Sequence, residues 1–280
     1  MSDICLAPHF DFSAVDNLPS RPTGLGRLIE SRTAEPRTGP ALLFIHGAYH
    51  GAWCYAHYLC FFAERGITCA ALDLPGHGGL PQDAAFLHMG IREMAQAVAR
   101  ACDLLARPAV LVGHSMGALP ALLGAATRPA AGVVLLAPSP PANLPGAHRL
   151  PAVAADRLRP PPGAQEIRQR FLAAAADSDV DGVQQRLCAE SPAALNDRYL
   201  LRVPVDPAAI GVPGLCLAAE LDTSDRHPPG QDRAVADFFR FDYAMLPRQP
   251  HCMPYAPGWR GSAQAILDWY LARFARTRAA

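Results

Sequence analysis

The sequence predicts an α/β fold: a mostly parallel, twisted sheet flanked by helices, with a helical insertion. Three observations predict it. Short apolar runs bounded by Gly or Pro recur along the chain, helix-like stretches separate them, and residues 140–205, which open on a proline-dense stretch over 138–163, interrupt the rhythm. Apolar runs without polar alternation are expected of strands covered on both faces. Strands separated by helices imply βαβ units.

Taken in order, residues 22–34 are candidates for one or two N-terminal strands. ALLFI at 41–45 reads as a buried strand ended by His46-Gly47. GITCAALDL at 66–74 reads as a second strand, ended by Pro75-Gly76. Ile91, Met94, Val98, Cys102 and Leu105 recur at spacings of three and four, the stripe of an amphipathic helix. PAVLV at 108–112 is a third strand, and the small apolar residues of 116–127 suit a buried helix. GVVLL at 132–136 is a fourth strand. Two or three helices are expected at 164–176, 181–190 and 191–201. PGLCLAA at 213–219 and the shorter 241–246 complete the strands, and Ile266, Trp269, Tyr270 and Phe274 mark a C-terminal helix over 262–274. Residues 1–139 and 206–280 are expected to form the core. Residues 140–205 form a cap over the carboxyl edge of the sheet, where open α/β sheets bind ligands.

Composition narrows the function classes. Half of the 280 residues are hydrophobic and 18% are charged, enough for a sizeable core. Lys+Arg and Asp+Glu are both 25, and no dense basic run occurs, so the surplus that grips nucleic acid is missing. Eight cysteines without a CxxC pair read as reduced thiols rather than a disulfide scaffold. The opening MSDICLAPHFDF has no basic n-region, and the longest apolar stretch, 109–139, is broken by His114, Ser115, Pro120, Arg128 and Pro129. A cytoplasmic protein with no membrane span is expected.

Gly113-His114-Ser115-Met116-Gly117 follows the strand PAVLV and opens a helix. G-x-S-x-G in that context is a nucleophile elbow. A sharp turn holds the serine in a strained conformation and lifts its hydroxyl clear of the sheet, while the glycines let strand and helix pack closely. A carbonyl attacked by serine needs two N–H donors for its oxygen. Met116, at the helix start, supplies one. Ala48, in the HGAYHGAW stretch after ALLFI, supplies the other, with Gly47 keeping the approach open. His46 reads as a packed residue shaping that loop. Gly47, His50 and Met253 are candidates for the pocket lining.

A serine hydroxyl also needs a base. His251, beyond the last strand, lies on a loop that returns to the nucleophile edge. His114 points elsewhere on the elbow and His77 reads as structural. The base needs a carboxylate to fix its tautomer. Asp222, one turn beyond PGLCLAA, is the first choice, Asp225 the second and Glu220 the third. The chain order is then Ser115, Asp222, His251.

These motifs resemble the α/β-hydrolase superfamily from about residue 40 to 275. HGAYHGAW and HCMPYAPGW are similar to the small serine esterases grouped with plant methyl-ester esterases and hydroxynitrile lyases. The resemblance implies work without cofactor or metal on small esters or cyanohydrins, in a pocket under a helical cap. The lyases generally carry Thr where this chain has Gly47, and Lys shortly after the histidine that Cys252 and Met253 follow here. Both differences favour ester hydrolysis. Serine rather than Asp at 115 disfavours dehalogenase and epoxide hydrolase relatives.

The expected function is therefore cleavage of a small carboxylic ester through an acyl-enzyme on Ser115, with a small ester or thioester as partner and a homodimer left open. The alternatives are thioesterase, lactonase or biosynthetic acyl-transfer and cyclisation chemistry on the same residues, or a small-molecule receptor. A zinc site from His46, His50, Cys54 and His57 is disfavoured, since no H-E-x-x-H pattern occurs. Leu172, Leu187, Tyr199 and Leu200 either shape the acyl pocket or belong to ordinary core.

Overall fold

The computed structural model describes residues 10–274. Eight strands form one sheet: β1 (Ser20–Pro22), β2 (Arg27–Glu30), β3 (Ala41–Ile45), β4 (Cys69–Asp73), β5 (Ala109–His114), β6 (Ala130–Leu136), β7 (Gly214–Ala219) and β8 (Asp242–Leu246). Their spatial order is β1-β2-β4-β3-β5-β6-β7-β8. β1 and β2 pair antiparallel, as do β2 and β4, and every later pairing is parallel.

β3, β4, β5 and β7 are buried at every position, as unalternating apolar runs require. Alternate side chains enter different cores. Leu42 and Phe44 join one cluster, with residues of the terminal helix, while Leu43 and Ile45 join the other, with Ile91, Met94 and Val98. Full burial of one such side chain stabilises the fold by about 1.5–3 kcal/mol.

The helices are α1 (Ala56–Ala63), α2 (Ile91–Leu104), α3 (Ala118–Thr127), α4 (Ala164–Glu166, continued by a π turn over Ile167–Leu172), α5 (Asp181–Gln184), α6 (Pro192–Tyr199), α7 (Gln231–Phe239) and α8 (Trp259–Phe274). α1 and α7 were not among the expected helices. α1 reads AHYLCFFA, so apolar that it carries no amphipathic stripe, and α7 is only nine residues long. The helices of 140–205 are shorter than expected. Ala173, with φ 46°, ends the first at Leu172, and α5 stops at Gln184.

The residues between β6 and β7 lie against the carboxyl edge of the sheet. Cys188 N–H donates to the Tyr49 carbonyl (3.0 Å), Arg159 and Glu190 form an antiparallel bridge, and Leu150 N–H donates to the Tyr199 carbonyl (2.8 Å). Loops leaving β3, β5, β7 and β8 meet at that edge beneath α6. No helix among the described residues is long and apolar enough to cross a membrane.

Candidate active site

The elbow is built by close approach. β5 ends at His114, a 3₁₀ turn covers Ser115–Gly117, and α3 follows directly. Ser115 has φ 53°, a left-handed conformation that residues other than Gly, Asn or Asp adopt only under constraint. A Cβ on Gly117 would lie 2.3 Å from the His46 carbonyl oxygen, and one on Gly113 would lie 2.7 Å from the Ala118 Cα. Only glycine lets the turn sit this tightly between β3 and α3.

His251 reaches the elbow from the loop after β8. Its Nε2 lies 3.0 Å from Ser115 Oγ, and its Nδ1 lies 2.6 Å from Asp222 Oδ2. His114 Nε2–H donates to the His251 carbonyl (2.9 Å), so the elbow holds the backbone of the loop that carries the imidazole. Burial alone would raise the Asp222 carboxyl. The facing His251 and His227 rings and the Thr223 N–H outweigh it and hold the group at about 2. Asp222 is therefore an anion at neutral pH, aimed at the ring nitrogen that must carry the proton if Nε2 is to accept one. Asp225 and Glu220 are turned away: Asp225 faces the Arg226 guanidinium, and Glu220 accepts the Arg248 N–H.

The loop after β3 is fixed by three imidazoles and one carboxylate. His46 Nδ1–H donates to the Gly47 carbonyl (2.8 Å), while its Nε2 accepts the Leu74 N–H (3.1 Å). Because a trans peptide sets C=O and N–H in opposite directions, tying the Gly47 carbonyl back turns the Ala48 N–H the other way. His50 Nδ1–H holds the Ala48 carbonyl (2.7 Å), and its Nε2 accepts from Tyr255 Oη (2.8 Å). Glu190 Oε2 accepts the Tyr49 N–H (3.0 Å) and also lies 3.0 Å from His77 Nε2. Tyr49 itself has φ 69°. Burial lowers His46 and His114 well below the ordinary imidazole range and brings His50 to about 4, so all three are neutral supports.

A compact cavity of about 80 Å³ opens above Ser115. One buried water needs roughly 10–15 Å³ of such space, so the cavity suits a small molecule. Gly47, Ala48, His50 and Met116 all line it. Met253 does not. It is fully buried in the main apolar core, and its carbonyl accepts from Ser262, because the backbone turns inward directly after His251. Of Leu172, Leu187, Tyr199 and Leu200, Tyr199 alone faces the cavity; Phe171 and Leu195 supply the other apolar wall.

A sequence profile of the alpha/beta hydrolase family matches residues 42–265, most of the chain. The chain belongs to the alpha/beta hydrolase family. A rice protein (Oryza sativa subsp. indica) described as a probable esterase, PIR7A, is 34% identical over 111 residues. That alignment covers 38% of this chain and 41% of the rice protein, so the match spans about two fifths of the curated relative. Among solved structures, methylesterase MES16 from Arabidopsis is similar with a TM-score of 0.65 at 18% identity, over 82% of this chain and 98% of that one. A pyrethroid hydrolase from Sphingobium faniae JZ-2 gives 0.63 at 21% identity, over 83% and 98%. At these identities the structural likeness is one of fold.

Four residues of this hydrolase chain that matter at the site escaped the sequence reading. Ser139 N–H donates to the Ser115 carbonyl (3.0 Å) and braces the elbow. His227 packs on the His251 ring, its Nδ1 3.8 Å from Asp222 and 3.4 Å from Asp232. Glu190 and Arg198 come from the segment between β6 and β7. Arg198 had a legible signal: it shares the buried face of α6 with Ala194 and Leu195, where a charge is out of place. The histidines of the 46–57 stretch are engaged separately, His57 stacking on Trp259. Asp222, His227 and His251 are the one group of potential metal ligands drawn together among the described residues.

Proposed function

We propose that this protein is a serine hydrolase that cleaves a small carboxylic ester through Ser115, His251 and Asp222. The observation that carries the proposal is the continuous relay of 2.6 and 3.0 Å from Asp222 through His251 to a serine held at positive φ. Ser115 Oγ attacks the ester carbonyl as its proton passes to His251 Nε2, and the carbonyl π electrons move to oxygen. The N–H groups of Ala48 and Met116 stabilise that oxyanion; Met116 opens a helix, so its N–H lacks an intrahelical acceptor. Collapse of the intermediate expels the alkoxide, which takes the proton from His251. Water then repeats the sequence on the acyl-enzyme and releases the acid. Asp222 holds Nδ1–H and stabilises the imidazolium.

Residues 140–205 act in this reading as the cap that closes the cavity, and the compact space favours short acyl or alcohol groups. Seven free cysteines among the described residues support a reducing, cytoplasmic setting. The test is a panel of small methyl and 4-nitrophenyl esters together with fluorophosphonate labelling. Ser115→Ala is expected to lose both turnover and label, with kcat falling by on the order of 10⁴–10⁶. Labelling without turnover of any ester would point to a receptor, and full activity in Ser115→Ala would end the proposal.

A further inference from the structure

Arg198 sits in the cavity wall with no counter-charge. It is 5% exposed, and among the described residues no carboxylate pairs with it. Its Nε donates to Ser139 Oγ (2.8 Å) and its Nη2 weakly to the Arg226 carbonyl (3.3 Å), while the buried Nη1 has no partner. Ser139 is the residue whose N–H braces the Ser115 carbonyl, so the guanidinium stands two hydrogen bonds from the elbow. The other cavity arginines differ: Arg170 has a counter-charge in Glu166, although its Nε is also unpartnered, and Arg226 meets Tyr199 Oη and faces Asp225.

This arrangement is not explained by bracing alone. A neutral amide could donate to both Ser139 and the Arg226 carbonyl without bringing a charge out of water. Burying a cation without a counter-charge is strongly unfavourable. Desolvation and the neighbouring Arg226 lower the guanidinium only to about 10, so it stays charged at neutral pH. An unused donor on the end-on edge of a planar fork is the geometry that takes a carboxylate.

We propose that Arg198 is the anion-binding residue of the active site, and that the preferred substrate is a small ester bearing a free carboxylate, as in the monoester of a short dicarboxylic acid. The proposal rests on the hydrolase reading above and names its substrate class. The carboxylate docks on the Nη1–Nη2 edge while the ester carbonyl lies over Ser115. The compact cavity places the two groups only a few carbons apart.

The experiment compares kcat/KM for monomethyl glutarate and dimethyl glutarate. The half-ester is expected to be preferred by at least about tenfold, the scale of a charge-assisted hydrogen bond. Arg198→Gln should collapse that ratio towards one, and Arg198→Lys should keep part of it. Equal use of both esters by the native protein, or an unchanged ratio in Arg198→Gln, overturns the proposal. If Arg198→Gln does not fold, calorimetry on Ser115→Ala decides: tighter binding of the half-ester than of the diester supports it, and equal binding overturns it. Should no ester be turned over, 4-nitrophenyl acetate included, that failure belongs to the hydrolase reading. The same calorimetry then judges the anion site on its own.

Discussion

At the scale of single residues, the choice between neighbouring carboxylates is decided by 2.6 Å. Asp222 meets His251 Nδ1, whereas Asp225, three residues further along a loop whose register no periodicity fixes, faces the neighbouring Arg226. Asp222→Asn is therefore expected to lower kcat by on the order of 10⁴, because the wrong tautomer is held, while Asp225→Asn should leave kcat near native; steady-state kinetics on one 4-nitrophenyl ester separates them. The depressed carboxyl also bears on stability. A group whose folded pKa lies below its unfolded one contributes stability above the unfolded value, here 3.8, and loses it as pH falls towards about 2. Unfolding free energies from urea titrations of native protein and Asp222→Asn should differ by about 2 kcal/mol at pH 5 and converge between pH 3.8 and 2. An advantage that persisted below pH 2 would show that the ion pair is not its source.

At the scale of elements, the turn from β5 into α3 and the loop after β3 are fitted to each other. Gly117→Ala would push a methyl group against the carbonyls of Ile45 and His46, backbone atoms that cannot swing aside. Destabilisation of about 1–3 kcal/mol is expected from such overpacking, measured as a fall in the denaturation midpoint, together with loss of fluorophosphonate labelling as the elbow shifts. The Tyr49 backbone is held by Glu190, which also faces His77. Burial works against charge on His77, but the adjacent Glu190 carboxylate more than offsets it and raises its pKa. A raised folded pKa contributes stability that is fully present below the unfolded value of 6.5 and is lost as pH climbs through the folded one. The stability difference between native protein and His77→Asn should therefore be largest below pH 6.5 and shrink in more alkaline solution, followed as urea midpoints against pH.

At the scale of the whole molecule, all 25 basic side chains are arginine, balanced by 25 acidic ones. Neither sign is in formal surplus. Solubility is expected to pass through a minimum near pH 7.1, read as turbidity across pH 5–9. A minimum well away from neutrality would mean that buried groups carry charges the formal balance omits. The two faces of the sheet are closed by different helices, and the site sits where the ends of parallel strands leave space between them.

The positions of most strands along the chain, the elbow at Ser115 and the histidine beyond β8 were legible because each is local: an apolar run, a glycine-flanked serine, one imidazole on a loop before a helix. Helix α1 was not, since uniform apolarity erases the helical stripe, and Met253 was misplaced because one residue of turning sends a side chain to the core instead of the cavity. The insertion hid most. Glu190 and Arg198 take their meaning from partners far away in the chain, Tyr49, His77 and Ser139. Residue type and spacing thus determined the fold class and pointed to Ser115 and His251, which the structure brings within 3.0 Å. Which carboxylate meets the imidazole, what braces the loop after β3 and where an unpaired cation faces were decided only when distant segments packed, because a charge's effect depends on the atoms around it and not on its neighbours in sequence.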